Sequence, residues 1–165
     1  MNCVYKGFRV RDWRGGDRQI AAGLIASVLA EYGLGNEPDG ADQDVLNVEQ
    51  AYWETGGQFW VVEQDGRLVG TAGFYPIARG NHAVEIRKMY LLPEVRGQGL
   101  GRFLLKALEE TIASLGYREI WIETASVLKE AVQLYENSGY EPTTGVETAR
   151  CDRVYVKAIG EAAIQ

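Results

Sequence analysis

Val84-Glu85-Ile86-Arg87-Lys88-Met89-Tyr90-Leu91-Leu92-Pro93-Glu94-Val95-Arg96-Gly97-Gln98-Gly99-Leu100-Gly101 carries an apolar, strand-like segment into a glycine-rich turn. Glycines at 97, 99 and 101 let backbone N–H groups approach an anion without a Cβ in the way. A helix is predicted to follow from Gly99 to about Ser114, with Leu100, Leu104, Leu108 and Leu115 marking one face. The turn therefore sits at a helix N-terminus, where unpaired donors and the positive end of the helix dipole favour a phosphate or pyrophosphate. Arg96 and Arg102 bracket it and can add charge-assisted contacts.

Other glycine-rich turns fit less well. A dinucleotide fingerprint spaced from Gly97 and Gly99 needs glycine at 102, where Arg102 stands, and Pro93-Glu94-Val95 separates the strand from the glycines. A triphosphate loop needs Gly-Lys-Ser/Thr, which the turn lacks.

Working outward, Phe8 to Trp13 alternates as a strand, and Asp17 is placed to cap a helix running to about Gly33, with Leu24, Ile25, Val28, Leu29 and Tyr32 at helical spacing. A turn-rich loop from Gly33 to Gly40 leads to a second helix, Asp42 to Thr55, closed by Gly56-Gly57. Gln64-Asp65-Gly66 joins two strands, Gln58–Glu63 and Arg67–Pro76, as a hairpin. After the loop Ala78 to Asn81, an apolar stretch spans Ala83 to Leu92. Beyond the helix at Gly99 come a strand over Arg118–Thr124, a helix over Leu128–Ser138 stopped by Gly139, and two closing strands over Glu141–Thr148 and Arg153–Ile159. The order β-α-α-β-β-β-α-β-α-β-β is an α/β mixture with a largely antiparallel first half.

Within the apolar stretch, Val84 and Ile86 alternate in one phase and Met89 and Leu91 in the other, although Tyr90 and Leu92 keep the first. One inserted residue, a β-bulge, produces such a shift and frees backbone groups for a ligand.

The 165 residues suit one domain, 1–165, and their apolar and charged content is ordinary for a soluble globular protein. No apolar run approaches the roughly 20 residues that cross a bilayer. The start Met-Asn-Cys-Val-Tyr-Lys lacks signal-peptide character, so a cytoplasmic location and no membrane partner are expected. A net charge of −6 argues against nucleic acid as a partner. Cys3 and Cys151 show no local pairing signal, and a single histidine, His82, leaves too few ligands for a metal site.

The quoted stretch closely resembles the GNAT family of N-acetyltransferases, whose cofactor signature Gln/Arg-x-x-Gly-x-Gly/Ala is matched by Arg96, Gly99 and Gly101. Ala131-Val132-Gln133-Leu134-Tyr135-Glu136-Asn137-Ser138-Gly139-Tyr140 is similar to that family's Ala-x-x-Leu-Tyr-x-x-x-Gly-Phe/Tyr helix. The resemblance covers the whole order of elements and is most specific between Ala83 and Tyr140. It implies the acyl-CoA N-acyltransferase fold: a mixed, mostly antiparallel central sheet, splayed open around acetyl-CoA and flanked by helices. It further implies that the backbone of Met89, Tyr90 and Leu91 pairs with the pantetheine arm, and that Arg96, Gly97, Gln98, Gly99, Leu100, Gly101 and Arg102 hold the pyrophosphate. The family often has asparagine where this chain has Leu128, which puts one usual cofactor contact in doubt.

Acetyl transfer to an amine needs a neutral nucleophile, a polarised thioester carbonyl and a proton for the departing thiolate. The resemblance implies Tyr135 as the acid that protonates the thiolate and Glu85 as the base, acting directly or through water, with Glu123 its rival. Direct attack needs no covalent intermediate, so Cys151 is not required as a nucleophile. The expected activity is transfer from acetyl-CoA, with no metal, to the primary amine of a small-molecule or peptide acceptor; the alternative is a non-catalytic CoA-binding module on the same fold. A homodimer is compatible with the family. The acidic residues Glu31, Glu37, Asp39, Asp42 and Asp44 read as a solvated face, the alternative implied by the resemblance being part of an acceptor pocket for a cationic amine, and Trp53, Phe59 and Trp60 read as core. Arg150-Cys151-Asp152 is placed to border the acceptor site.

Overall fold

The computed structural model describes residues 1–160; the expected domain extends to Gln165, and 161–165 lie outside the described residues. In chain order the elements are β1 (Asn2–Tyr5), β2 (Phe8–Asp12), α1 (Arg18–Glu31), α2 (Gln43–Leu46), β3 (Gln58–Gln64), β4 (Arg67–Pro76), β5 (Ala83–Leu91), α3 (Leu100–Ser114), β6 (Glu119–Thr124), α4 (Lys129–Asn137), β7 (Glu141–Thr143) and β8 (Arg153–Ala158). The strands form one sheet ordered β1-β2-β3-β4-β5-β6-β8-β7. β5 and β6 run parallel, and the other neighbours are antiparallel.

The sheet opens at its centre. β5 pairs with β4 as far as Leu91 opposite Gly70, but its pairing with β6 stops at Ile86 opposite Ile122. Among the described residues, no strand lies beside that edge of β5 beyond Ile86. The expected bulge lies at that point: Gly73 faces Arg87 and Thr71 faces Tyr90, so Lys88 and Met89 share the place opposite Ala72. Lys88 takes the left-handed φ of 54° that accommodates the extra residue, and Thr71 Oγ1 donates to its carbonyl at 2.7 Å.

Alternation along the strands builds a core on each face. On β3, Trp60 and Val62 point to the side covered by α3 and α4, with Leu104, Leu108 and Ile112 of α3. Phe59 and Val61 point to the other side, against Leu24, Ile25, Val28 and Leu29 of α1. The periodic leucines of α3 are thus a packing stripe, with Leu115 left half-exposed at its end.

Several expected boundaries move. β1 is an additional strand whose four alternating residues carry little apolar signal. Asp17 does not cap α1; its carboxylate accepts two bonds from Arg11 at 2.9 Å and the Arg14 N–H at 2.8 Å, tying β2 to the turn before the helix. The helix expected over Asp42–Thr55 is instead α2 and a separate π-helical turn, Glu49–Trp53. That turn directs Tyr52 into the core, where its hydroxyl donates to Asp44, and leaves Trp53 45% exposed, so Trp53 is not core. Phe59 and Trp60 are buried as expected. β7 ends at Thr143 rather than Thr148 because the Glu123 carboxylate captures the N–H groups of Glu147 and Thr148 and turns the chain away.

Candidate active site

The glycine turn follows a single 3-10 turn, Pro93–Val95. Gly97 and Gly99 have φ values of 76° and 82°, which residues with a Cβ rarely adopt, so glycine is required to deliver the chain into α3 at this angle. Among the described residues no side chain caps α3, and its first N–H groups stay open to the gap between β5 and β6.

A cavity of about 330 Å³ fills that gap. Met89, Tyr90, Leu91, Arg96, Gly97, Gly99, Gly101 and Arg102 line it, as do Glu85 and Tyr135. Two residues of the expected cofactor set do not. Leu100 is buried in the core, and the Gln98 carbonyl faces Tyr5 on the outer side of the turn. Arg96 reaches the cavity, but its five N–H groups already have acceptors: Leu91 O twice, Glu31 twice and the Tyr32 hydroxyl. It clamps the end of β5 to α1, with its charge largely offset by Glu31.

Tyr135 reaches the same cavity from α4. Burial pushes its hydroxyl well above the usual tyrosine range, with Tyr90 and Cys151 adding to the effect. Among the described residues no group bonds that hydroxyl, in contrast to Tyr140, Tyr155 and Tyr52, which donate to Glu109, Glu136 and Asp44. Cys151 also lines the cavity; burial, then Glu123, push its thiol up to about 11, which keeps it protonated and a poor nucleophile near neutrality. Leu128 lines the cavity as an apolar surface.

Glu85 and Glu123 differ sharply. The Glu85 side chain is 9% exposed, and Arg87 Nη1 lies 3.6 Å away, beyond hydrogen-bond range. Burial raises its pKa, opposed by Arg87 and reinforced by Glu123. Glu123 accepts from Arg79 at 2.8 Å and from the Glu147 and Thr148 N–H groups at 3.0 and 2.8 Å. Burial pushes Glu123 up, yet these bonds outweigh it and hold its carboxyl below the ordinary value. Glu123 is a loop anchor already saturated with donors, and Glu85 is the carboxylate with free acceptor capacity.

A second cavity of about 650 Å³ adjoins the first, and Glu85, Arg87, Glu123 and Thr148 line both. Its walls bring Glu37, Glu85, Glu123 and Glu147 together with Arg79 and Arg87. The acidic stretch expected to be a solvated face is only partly so. Asp42 is 4% exposed in its side chain, held by Arg150 at 2.6 and 2.7 Å, with Lys88 at 3.3 Å. Asp44 lies 3.2 Å from Lys88, and Glu31 is bound to Arg96. Burial pulls the Lys88 ammonium below its ordinary pKa despite these carboxylates. The bulge explains the burial: it places Lys88 beneath the loop, where Ala41 O also accepts from its ammonium at 2.9 Å. Arg150 borders this loop, with Cys151 beside it in the first cavity, whereas Asp152 bonds Ser126. Besides the nearby Glu37 N–H, the partners of Asp42 are cations from β5 and the loop before β8, which no local pattern could have revealed.

A sheet opened beside a bulged strand, with an uncapped glycine turn at the gap, is the architecture of an acyltransferase. The chain belongs to the Acetyltransferase (GNAT) family, whose model matches residues 25–140. It is 37% identical over 128 residues to the uncharacterized N-acetyltransferase YjgM of Escherichia coli (strain K12), covering 76% of this chain and 77% of that one. Matches to several mouse and rat N-acetyltransferase family 8 proteins span about half the length of those relatives. Among solved structures it resembles a GNAT-family acetyltransferase from Staphylococcus aureus Mu50, with TM-score 0.85, 21% identity, and coverage of 92% of this chain and 98% of that one. It also resembles a phosphinothricin acetyltransferase from Sinorhizobium meliloti in complex with acetyl-CoA, with TM-score 0.74, 21% identity, and coverage of 94% and 90%. The fold is that of these acyl-CoA N-acyltransferases. Among the described residues no helix is long and apolar enough to cross a membrane, and no cluster of ligating side chains could hold a metal ion.

Proposed function

We propose that residues 1–165 act as one N-acetyltransferase domain, moving an acetyl group from acetyl-CoA to the primary amine of a small acceptor by direct attack. The observation that carries this reading is the unpaired edge of β5 beyond Ile86, flanked by the open N-terminus of α3 and by the unbonded hydroxyl of Tyr135. These features fit acetyl-CoA. The β5 edge offers Met89, Tyr90 and Leu91 to an amide-bearing arm, and Gly97, Gly99 and Gly101 offer backbone donors to a pyrophosphate. Arg102, which has no side-chain partner among the described residues, supplies a cation there, because Arg96 is held by Glu31. Acetyl-CoA supplies the activated thioester.

The acceptor enters from the second cavity. Four carboxylates against two guanidinium groups in its wall favour a cationic acceptor. Glu85, where the two cavities meet, takes the proton that the acceptor's ammonium must lose before its nitrogen can attack the acyl carbon. The raised pKa of Glu85 makes it a stronger base than an exposed glutamate. As the carbon–sulfur bond breaks, the Tyr135 hydroxyl gives its proton to the departing sulfur; the nitrogen, on becoming an amide, sheds a proton that restores it. Burial keeps Tyr135 protonated across the working pH range.

Release of free thiol from acetyl-CoA, measured across a panel of primary amines, tests the reading. At least one cationic amine should give turnover, with the acetyl group recovered as an amide. Tight CoA binding with no turnover on any amine would replace the enzyme with a CoA-binding module on the same fold.

A further inference from the structure

The N-terminal hairpin touches the glycine turn from behind. Tyr5 Oη donates to the Gln98 carbonyl at 2.9 Å, and Lys6 Nζ lies 3.4 Å from the same oxygen. The Tyr5 ring is held in turn by stacking on Phe103 of α3, with centroids 4.6 Å apart and planes within 20°. The approach is close: a Cβ on Gly99 would lie 2.5 Å from Tyr5 Oη.

Gln98 C=O and Gly99 N–H belong to one peptide unit. That unit is planar and trans, as are all peptide bonds among the described residues, so the two dipoles point in opposite directions. With the carbonyl fixed on the hairpin, the N–H is aimed to the other side of the turn, where Gly99 lines the cavity and Tyr5, Lys6 and Gln98 do not. Among the described residues nothing accepts from the Gly99 N–H. A carbonyl that accepts from a hydroxyl and an ammonium is also polarised, which makes the N–H of the same peptide a stronger donor.

We propose that Tyr5, assisted by Lys6, is a positioning residue of the cofactor site: it orients the Gln98–Gly99 peptide so that Gly99 N–H donates to the pyrophosphate of the bound coenzyme. The proposal rests on reading the glycine turn as the pyrophosphate site. Its distinctive consequence is that losing Tyr5 weakens only ligands that carry the pyrophosphate.

Equilibrium binding of CoA and of pantetheine, which has no pyrophosphate, separates these ideas in the wild type, Tyr5→Phe and Lys6→Met. Tyr5→Phe keeps the ring on Phe103 and removes only the hydroxyl. It should weaken CoA binding roughly three- to tenfold, the scale of one lost hydrogen bond, and leave pantetheine within about twofold. Lys6→Met should cost CoA about twofold, because its ammonium is exposed and screened. With a working acceptor, Tyr5→Phe should raise the KM for acetyl-CoA and leave kcat at saturation unchanged. Equal weakening of both ligands would reduce Tyr5 to a structural contact, and undiminished CoA binding would also overturn its role. A wild type that binds pantetheine as tightly as CoA would instead remove the pyrophosphate site itself.

Discussion

The two cavities that meet at Glu85 are built of different materials. The cofactor side is mostly backbone: a strand edge without a neighbour, a helix start without a cap, and two glycines at positive φ. The acceptor side is mostly charged side chains, with Arg79 and Arg87 each facing a carboxylate contributed by a distant segment. Backbone sites follow from local sequence, because glycine spacing and strand phase dictate which N–H and C=O groups stay free. Sites made of side chains depend on which segments the fold brings together. The same division predicts that changes on one side should leave binding on the other largely untouched.

The largest expected effect falls on the cofactor side, at the group proposed to protonate the departing sulfur. Tyr135→Phe keeps the ring packing and removes the proton donor, so kcat should fall by about 10²- to 10⁴-fold while the KM for acetyl-CoA stays within about threefold. A comparable rise in that KM would instead make Tyr135 a wall of the cofactor cavity. Glu85→Gln should lower kcat/KM for the acceptor by about 10²-fold and abolish the acid limb of its pH profile. The sign follows from the raised pKa: a base must be ionised, so wild-type activity drops as pH falls through a value above the ordinary 4.5 of glutamate. An unchanged acid limb in Glu85→Gln would assign the base elsewhere.

Asp42 tests the loop that joins the two sides, since its partners Lys88 and Arg150 line the first cavity and its neighbour Ala41 lines the second. Arg150, the Glu37 N–H and Lys88 overcome its burial and hold its carboxyl at about 2, against an ordinary 3.8. A folded pKa below the unfolded one stabilises the protein above the unfolded value, and that stability is lost as pH falls from about 4 towards 2. Asp42→Asn should therefore destabilise by about 2–3 kcal/mol at neutral pH in denaturant unfolding, since Arg150 and Lys88 lose a shared partner in a buried site. It should also flatten the acid side of the stability curve. The KM for the acceptor should rise because Ala41 and Glu37 line the second cavity; CoA affinity should fall by a smaller factor, because Arg150 and Lys88, which lose their partner, line the first. An equal or larger loss of CoA affinity would break the proposed division between the two sides.

The contrast also explains what could be read from the chain itself. The phase change around Lys88, the glycine turn and the leucine stripe of α3 are local patterns, and the bulge, the open helix start and the packed face all lie where those patterns put them. Asp42 is buried although its identity is that of a solvated acidic residue; the burial depends on Arg150, 108 residues away. Trp53, expected in the core, is exposed because a π-helical turn changes the angle between successive side chains and turns Tyr52 inward instead, an effect that 3.6-residue periodicity does not anticipate. Glu85 and Glu123 are indistinguishable by type. Three donors, two of them backbone N–H groups of the loop after β7, separate them.

The smallest expected effect bears on the charge of the acceptor. Glu147 stands at the mouth of the second cavity with its side chain 72% exposed and its carboxylate 3.6 Å from Arg79. An exposed carboxylate acts weakly and through solvent, so Glu147→Gln should raise the KM for a cationic acceptor only about two- to threefold at low salt. Adding salt to the wild type should reproduce the change, because both remove the same attraction. kcat should not move, since Glu147 lies away from the attacking nitrogen, and the KM for acetyl-CoA should not move, since Glu147 does not line the cofactor cavity. The sign matters more than the size. An acceptor bearing a carboxylate would bind better once Glu147 is neutral and Arg79 loses a competing partner, so a fall in KM would reverse the proposed charge of the substrate while leaving the cofactor side as described.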